Sequence, residues 1–335
     1  VTDLPDLADL LSGLHVVAIP MRVRFRGVDV REAVVFEGPS GWGEFAPFPE
    51  YADAEASRWL AAGIEEAYAA RPALARSVVP VNATVPAVTP EQVPAVLARF
   101  DGCTTAKVKV AERGQTLRDD LDRIAAVRDA MGPRARLRID ANGGWDVAQA
   151  TEALRSSAAY GIEYAEQPCA TVEELATLRT TLARQGIDVP IAADESIRKA
   201  DDPLRVARLG AADLVVVKVA PLGGISAALA IVDACGLPAV VSSALDTSIG
   251  ISAGVALAAA LPTLDHACGL GTVGLFAADV ATEPMRPVGG ALTPRRVTPD
   301  PAALEALAAP TERQRWWRER VARCHSLLTS AGVAR

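Results

Sequence analysis

The sequence predicts an α/β chain: a parallel barrel of the TIM type, preceded by an α+β segment. Three observations carry this. Short apolar runs recur at intervals of about 25–30 residues from near position 80 onward. Helical stretches such as QTLRDDLDRIAAVRDAM and TVEELATLRTTLARQ separate them, and strand–helix alternation builds a parallel sheet. Eight such units close into a barrel. A doubly wound open sheet is the structural alternative, but no GxGxxG follows an early strand to support it.

Residues 1–79 form the α+β part. LHVVAIPMRVRFRG and VDVREAVVFEG read as two strands joined near Gly27, a hairpin signal. GWGEFAPFPEY (41–51) reads as an ordered loop, and ADAEASRWLAAGIEEAYAA has helical periodicity. The barrel is expected over 80–285. Its first strand begins near residue 80, and the others fall at 104–111, 135–140, 162–166, 189–194, 213–218, 238–243 and 264–268. From 286 to 335 the alternation stops, and ERQRWWRERVARCHSLLTSAG is a helix expected to pack back on the N-terminal part.

Composition narrows the function. The 335 residues carry a net charge of -7 and only 4% aromatics, so neither a basic face nor a base-stacking platform for nucleic acid is expected. The most apolar stretch, Ile249–Leu261, is interrupted by Gly250, Ser252 and Gly254 and is too short to span a membrane. The acidic start VTDLPDLADLLSGL lacks the basic region of a signal peptide. Five widely spaced cysteines without CxxC read as buried thiols of a cytoplasmic protein. With three histidines in the chain, a metal site must rest on carboxylates, which points to a hard cation such as Mg²⁺, with Mn²⁺ as a substitute.

Active sites of such barrels lie at the C-terminal strand ends. Those ends here read Lys107-Val108-Lys109, Asp140, Glu166, Asp194, Lys218 and Ser242-Ser243. An Asp after a strand is often a helix N-cap. Glu166 is a poor N-cap, and after Asp140 the sequence ANGGW intervenes, making Asp146 the better cap. Three acidic ends on consecutive strands, flanked by lysine ends, therefore read as a site. Asp140, Glu166 and Asp194 converge on one cation; Lys109 and Lys218 face each other across it. Lys107 shares a strand face with Lys109, and one ammonium beneath another, beside a divalent cation, favours a neutral Lys109. An unperturbed lysine is neutral only about once in 10³–10⁴ molecules at pH 7. The chemistry implied is abstraction of a proton next to a carboxylate.

AKVKV, RIDANGGW, YAEQP, ADES and VVKVAPLGG, in this order and spacing, resemble the muconate-lactonizing subgroup of the enolase superfamily, and within it the branch of o-succinylbenzoate synthases. A lysine base with Mg²⁺ is the known pattern of that superfamily. The resemblance covers nearly the whole chain. It implies a (β/α)7β TIM-type barrel with an α+β capping domain formed by N- and C-terminal segments. It implies a lyase of menaquinone biosynthesis that dehydrates 2-succinyl-6-hydroxy-2,4-cyclohexadiene-1-carboxylate, a small dicarboxylate, to 2-succinylbenzoate. Lys109 is then the base and later the acid, Asp140, Glu166 and Asp194 bind Mg²⁺, and Lys218 stabilises the intermediate. GWGEFAPFPEY resembles the capping loop that closes over substrate. An N-succinylamino acid racemase, or another cycloisomerase or epimerase of the superfamily, is the alternative. CGLGTVGLF lacks the Asp-x-Asp of dipeptide epimerases, and SSALDTS departs from the subgroup's Ser/Glu version at Asp246.

Weaker signals complete the reading. Asn142 and Glu195 adjoin metal-ligand positions and suit hydrogen bonding to them, against a plain loop role. Ser242 suits a substrate carboxylate, against a bond to nearby backbone. Arg22, Arg24 and Arg26 share one strand face; most such faces are solvated, but a capping-domain arginine can hold a carboxylate. GISAG (250–254) is a literal GxSxG and suggests a serine hydrolase, yet Ser252 falls inside a helical run where a nucleophile elbow cannot form.

Overall fold

In the computed structural model, which describes residues 4–25, 27–199 and 202–333, strands β1 (Leu14–Phe25), β2 (Val28–Gly38) and β3 (Gly41–Phe45) form an antiparallel sheet in that order. Phe25 pairs with Val28 across the hairpin tip, and Gly27 takes a positive φ of 77° there. Arg26 lies outside the described residues. The helix Asp53–Tyr68 covers the sheet, and the C-terminal helix Thr311–Val333 packs on that helix and on β1. The indole of Trp317 donates to Glu32 at 2.9 Å and meets the Phe45 ring edge-on at 5.7 Å. The two ends of the chain thus share one core.

After the two-residue β4 (Val79–Pro80) come β5 (Ala83–Val85), β6 (Thr105–Lys109), β7 (Arg136–Asp140), β8 (Ile162–Glu166), β9 (Ile191–Ala193), β10 (Leu214–Val217) and β11 (Ala239–Val241). These last seven form one parallel sheet in chain order. A short β12 (Ala291–Leu292) pairs antiparallel with β4. Three successive barrel helices start on capping boxes whose N-caps are Thr116, Asp146 and Thr171, each side chain accepting from the backbone N–H three residues on.

The eighth strand expected at 264–268 shrinks to a seam. Only Cys268 bridges Val81 and only Gly269 bridges Ser242, both in parallel sense. Cys268 N–H donates to Pro80 and Asn82 N–H donates to Cys268, while Gly269 N–H donates to Val241 and Ser243 N–H donates to Gly269. Pro80 offers an acceptor and no donor, so the ladder cannot extend below it. The carbonyl of Ala267 goes instead to the buried Arg138 guanidinium at 2.6 Å.

Period-two alternation sets what faces inward. On β6 and β7, Ala106, Val108, Leu137 and Ile139 join the core beneath the helices. The alternate residues Lys107, Lys109, Arg138 and Asp140 are buried polar groups. Register aligns Lys109 with Asp140 and Asp140 with Glu166 across three strands. No helix among the described residues is long and apolar enough to cross a membrane.

Candidate active site

The barrel's C-terminal end carries the predicted charged residues on adjoining elements. Lys109 ends β6, Asp140 ends β7 and Glu166 ends β8, while Asp194 and Lys218 directly follow β9 and β10. All five are buried, none more than 7% exposed. Burial of this much charge requires pairing, and the pairs are explicit. Lys109 Nζ donates to Asp140 Oδ2 at 2.5 Å and to Asn142 Oδ1 at 2.6 Å. Lys218 Nζ donates to Asp194 Oδ2 at 2.5 Å. Lys107 Nζ donates to both Glu166 oxygens at 2.9 Å and lies 3.6 Å from Asp140.

These contacts add a partner to the sequence reading of Lys107, which is not only a like charge beneath Lys109 but also an ion-pair partner of Glu166. Burial does penalise its ammonium, but the Glu166 and Asp140 carboxylates outweigh that and raise its pKa. Asp140 is held below the usual carboxylate range: burial acts against this, and Lys109 and Lys107 overcome it. Asp194 behaves alike and falls to about 2, with Lys218 and Arg198 overcoming burial. Glu166 goes the other way. Burial and the nearby Asp140 charge push it up to about 7.

Among the described residues, no three His, Cys, Asp or Glu side chains stand together as a ready ion cage. The lysine ammonium groups take carboxylate oxygens that a cation would use. The donor set still fits a divalent metal. It consists of three buried carboxylates from adjacent strands, which are hard oxygen donors.

Asn142 and Glu195 extend the network. Asn142 N–H donates to Asp140 Oδ1 at 3.0 Å, and Asn142 Nδ2 donates to Glu195 Oε1 at 3.2 Å. Ser242 is buried and donates to Gly269 at 3.4 Å, a long bond. One cavity is lined by the charged residues Lys107, Lys109, Asp140 and Lys218 together with Ser242, Ser243, Leu245 and Thr272. Lys109 and Lys218 thus share this cavity on the two flanks of the carboxylate arc. Of the capping-domain arginines singled out, Arg22 and Arg24 do not line it. Arg22 donates to the carbonyls of Phe276 and Ala277, and Arg24 is exposed beside Asp29. Asp246 lies off this cavity and accepts from the N–H of Ala244.

Several residues escaped the sequence reading. Phe25, at the hairpin tip, lines the cavity with its ring 5.3 Å from Lys109 Nζ. Gln167 Oε1 accepts from the N–H groups of Asp194 and Ser196, locking the turn that aims Asp194. Arg198 donates to Asp194 and Glu195, and also to the Tyr51 hydroxyl; of the 41–51 stretch expected as a loop, Gly41–Phe45 is strand β3 and only the remainder, with Tyr51, is loop. The position of Gln167, directly after Glu166, was the one available signal. Ala111, Asn142, Gln167 and Leu245 are the described non-glycine residues at positive φ, and each lies one to four residues past a barrel strand end. Strain of this kind collects where a structure over-determines a site.

The GISAG serine has no such setting. Ser252 lies within the helix Ser248–Ala260, is 1% exposed and donates to Arg295 at 2.5 Å. This removes the geometric basis for a nucleophile elbow.

Comparison with known proteins agrees with this architecture. Residues 92–299 match the family described as Enolase C-terminal domain-like, and residues 16–67 match Enolase N-terminal domain-like. The chain is 60% identical to the o-succinylbenzoate synthase of Mycobacterium tuberculosis over 97% of both chains. It is 59% identical to that of Mycobacterium leprae, covering 97% of this chain and 95% of the relative. Among solved structures, a muconate lactonizing enzyme from Pseudomonas fluorescens superposes with a TM-score of 0.74 at 21% identity, over 89% of this chain and 98% of that one. An N-succinyl Arg/Lys racemase from Bacillus cereus gives 0.72 at 19% identity, over 89% and 97%. These two likenesses speak to the fold. The chain belongs to the enolase superfamily and, within it, to the o-succinylbenzoate synthase family.

Proposed function

We propose that the chain is a hydro-lyase that converts 2-succinyl-6-hydroxy-2,4-cyclohexadiene-1-carboxylate to 2-succinylbenzoate. The observation that carries this is the 60% identity, over 97% of the chain, to proteins named for that reaction. The paired lysines flanking three buried carboxylates supply a fitting chemistry.

In this reading Lys109 Nζ takes the proton from the ring carbon that bears the carboxylate. The C–H electron pair moves toward that carboxylate, giving an enediolate. It then returns to form the new ring double bond as the C–O bond to the hydroxyl breaks. Lys109 hands its proton to the leaving hydroxide, water departs and the ring is aromatic. One lysine on one face does both transfers. Asn142, which accepts from Lys109, orients its nitrogen. Lys218 stays charged and stabilises the developing negative charge. Asp140, Glu166 and Asp194 would hold Mg²⁺, or Mn²⁺ in its place, with Glu195 supporting Asn142 and Arg198. When bound, the cation stabilises negative charge on the substrate carboxylate. Lys107 anchors Glu166 from below, and Ser242 faces the substrate. The capping domain is assigned to residues 1–79 with 286–335, and the barrel to 80–285. A cytoplasmic place in menaquinone biosynthesis follows from the reaction.

Racemisation of an N-succinylamino acid is the second reading, favoured by a lysine on each flank of the cavity. It requires Lys218 to shuttle protons. Measuring kcat/KM for both substrates, with deuterium exchange in D₂O, separates the two. Dehydration is expected to be far more efficient, and racemisation that equals or exceeds it would overturn the proposal.

A further inference from the structure

Part of the cavity wall is Ser242–Leu245, the start of a barrel turn that runs on to Thr247 and is held from outside the barrel. Leu245 sits at a φ of 60°, a conformation that costs a non-glycine residue energy. Two capping-domain side chains hold this turn. Arg31, on β2 and 2% exposed, donates from Nε to the Leu245 carbonyl at 2.9 Å and from Nη2 to the Ala244 carbonyl at 3.3 Å. The same Nη2 donates to the Ala46 carbonyl, and the guanidinium lies 4.5 Å over the Phe48 ring. Glu44, on β3, accepts from Thr247 Oγ1 at 2.6 Å and from the N–H groups of Thr247 and Gly250.

One guanidinium therefore joins three pieces: a capping-domain strand, the segment after β3 that holds Ala46 and Phe48, and the turn that carries Ser242 and Ser243 into the cavity. A planar fork fixes the direction of several carbonyls at once, which a single ammonium cannot do. Burying it is costly, so a merely space-filling residue would serve packing better. The proton-transfer and carboxylate groups have other partners. Lys109, Lys218, Asp140 and Asp194 are bonded among themselves and to Asn142 and Arg198. Loss of Arg31 should loosen the wall and leave those groups in place.

We propose that Arg31 is a positioning residue for this reaction: through the Ala244–Leu245 carbonyls it sets the cavity wall against which substrate is bound, so that capping-domain seating and substrate affinity are one event. This rests on the dehydratase reading above.

The test compares wild type, Arg31→Met and Arg31→Lys in the full chain with Mn²⁺ present. Arg31→Met should raise KM about tenfold or more while kcat stays within about threefold, the signature of lost binding common to ground and transition states. Arg31→Lys should fall between, because it keeps the charge and loses the fork. Mn²⁺ affinity, followed by its paramagnetic resonance signal, should not change. Without substrate, amide hydrogen exchange should quicken selectively at residues 245–250. A fall in kcat at unchanged KM that tracks a lower Tm is what a purely structural arginine gives and overturns the proposal. So does faster exchange spread evenly over the barrel. If Arg31→Met does not fold, Arg31→Lys is judged by the same criteria. A wild-type chain that fails to dehydrate the substrate overturns the reaction reading instead, and local exchange then decides on Arg31.

Discussion

From Lys109 to Lys218 the barrel mouth is charged, and its ion pairs lie mostly within the barrel itself: Lys109 with Asp140, Lys107 with Glu166, Lys218 with Asp194. From Ser242 to Thr272 the mouth is lined by hydroxyls and backbone. Ser243 donates to Gly269 at 3.0 Å and shares a 2.8 Å hydrogen bond with Thr272. Asp246 of the turn accepts from the Ala244 N–H at 3.1 Å, and two further side chains that hold this side, Arg31 and Glu44, come from the capping domain. On the proposed reading the first arc supplies reactivity from strand ends that adjoin in the sheet. The second supplies fit, and is held by residues some two hundred positions earlier in the chain.

The sharpest way to break this division is at Lys109. A guanidinium stays protonated at neutral pH, so Lys109→Arg should lower kcat by about 10²–10⁴-fold, the usual worth of a general base, with Tm nearly unchanged. Steady-state kinetics together with a thermal melt check this. Wild-type turnover in the variant would remove the base assignment and with it the meaning of the charged arc.

Metal dependence comes next. Chelation should abolish turnover while leaving Tm within a few degrees, because the core rather than the ion holds a chain of this size together. Asp140→Asn should weaken Mn²⁺ binding and activity together, each by more than about tenfold. Activity that persists in metal-free buffer would contradict the three-carboxylate assignment.

Lys218 offers a graded comparison. If it acts only as a charge, Lys218→Arg should retain measurable dehydration where Lys218→Ala loses nearly all of it. Equal loss in both would indicate proton transfer at Lys218 and favour racemase chemistry.

The smallest effect tests the second arc. Burial and the neighbouring Asp246 charge push Glu44 up to about 8, although Thr247 and Gly250 donate to it. Its folded pKa thus exceeds its unfolded value of about 4.3, so the folded state binds more protons between the two. Stability from this group is full below about pH 4.3 and is lost as pH rises through 8. Tm should therefore decline over that interval, and Glu44→Gln should flatten the decline. An unchanged slope would place the titration elsewhere.

Much of the charged arc was legible from the sequence because each of its residues ends a strand or directly follows one, and strand ends can be read locally. Glu166 stood out as a poor N-cap, and Asp146 does cap its helix. What local reading missed depends on contacts between distant segments. Nothing near Arg31 announces Leu245, and nothing near Phe25 announces Lys109. The pairing of Lys107 with Glu166 joins residues 59 positions apart, so its carboxylate partner was overlooked while its lysine neighbour was not. The strand expected at 264–268 had the right composition, but Pro80 opposite it cannot donate.

That narrow seam has a kinetic consequence. Each crossover from β5 to β11 brings together strands that are neighbours in the chain, so the sheet can grow by short loop closures. Among the described residues the seam joins its first and last edges, Val81 to Cys268 and Ser242 to Gly269. The long closure must be entropically met before its few hydrogen bonds are gained. Until then, two parallel strand edges stay open to pairing with other chains. Refolding yield at high protein concentration is therefore where a weakened seam would be felt first, well before any loss of activity in the folded enzyme.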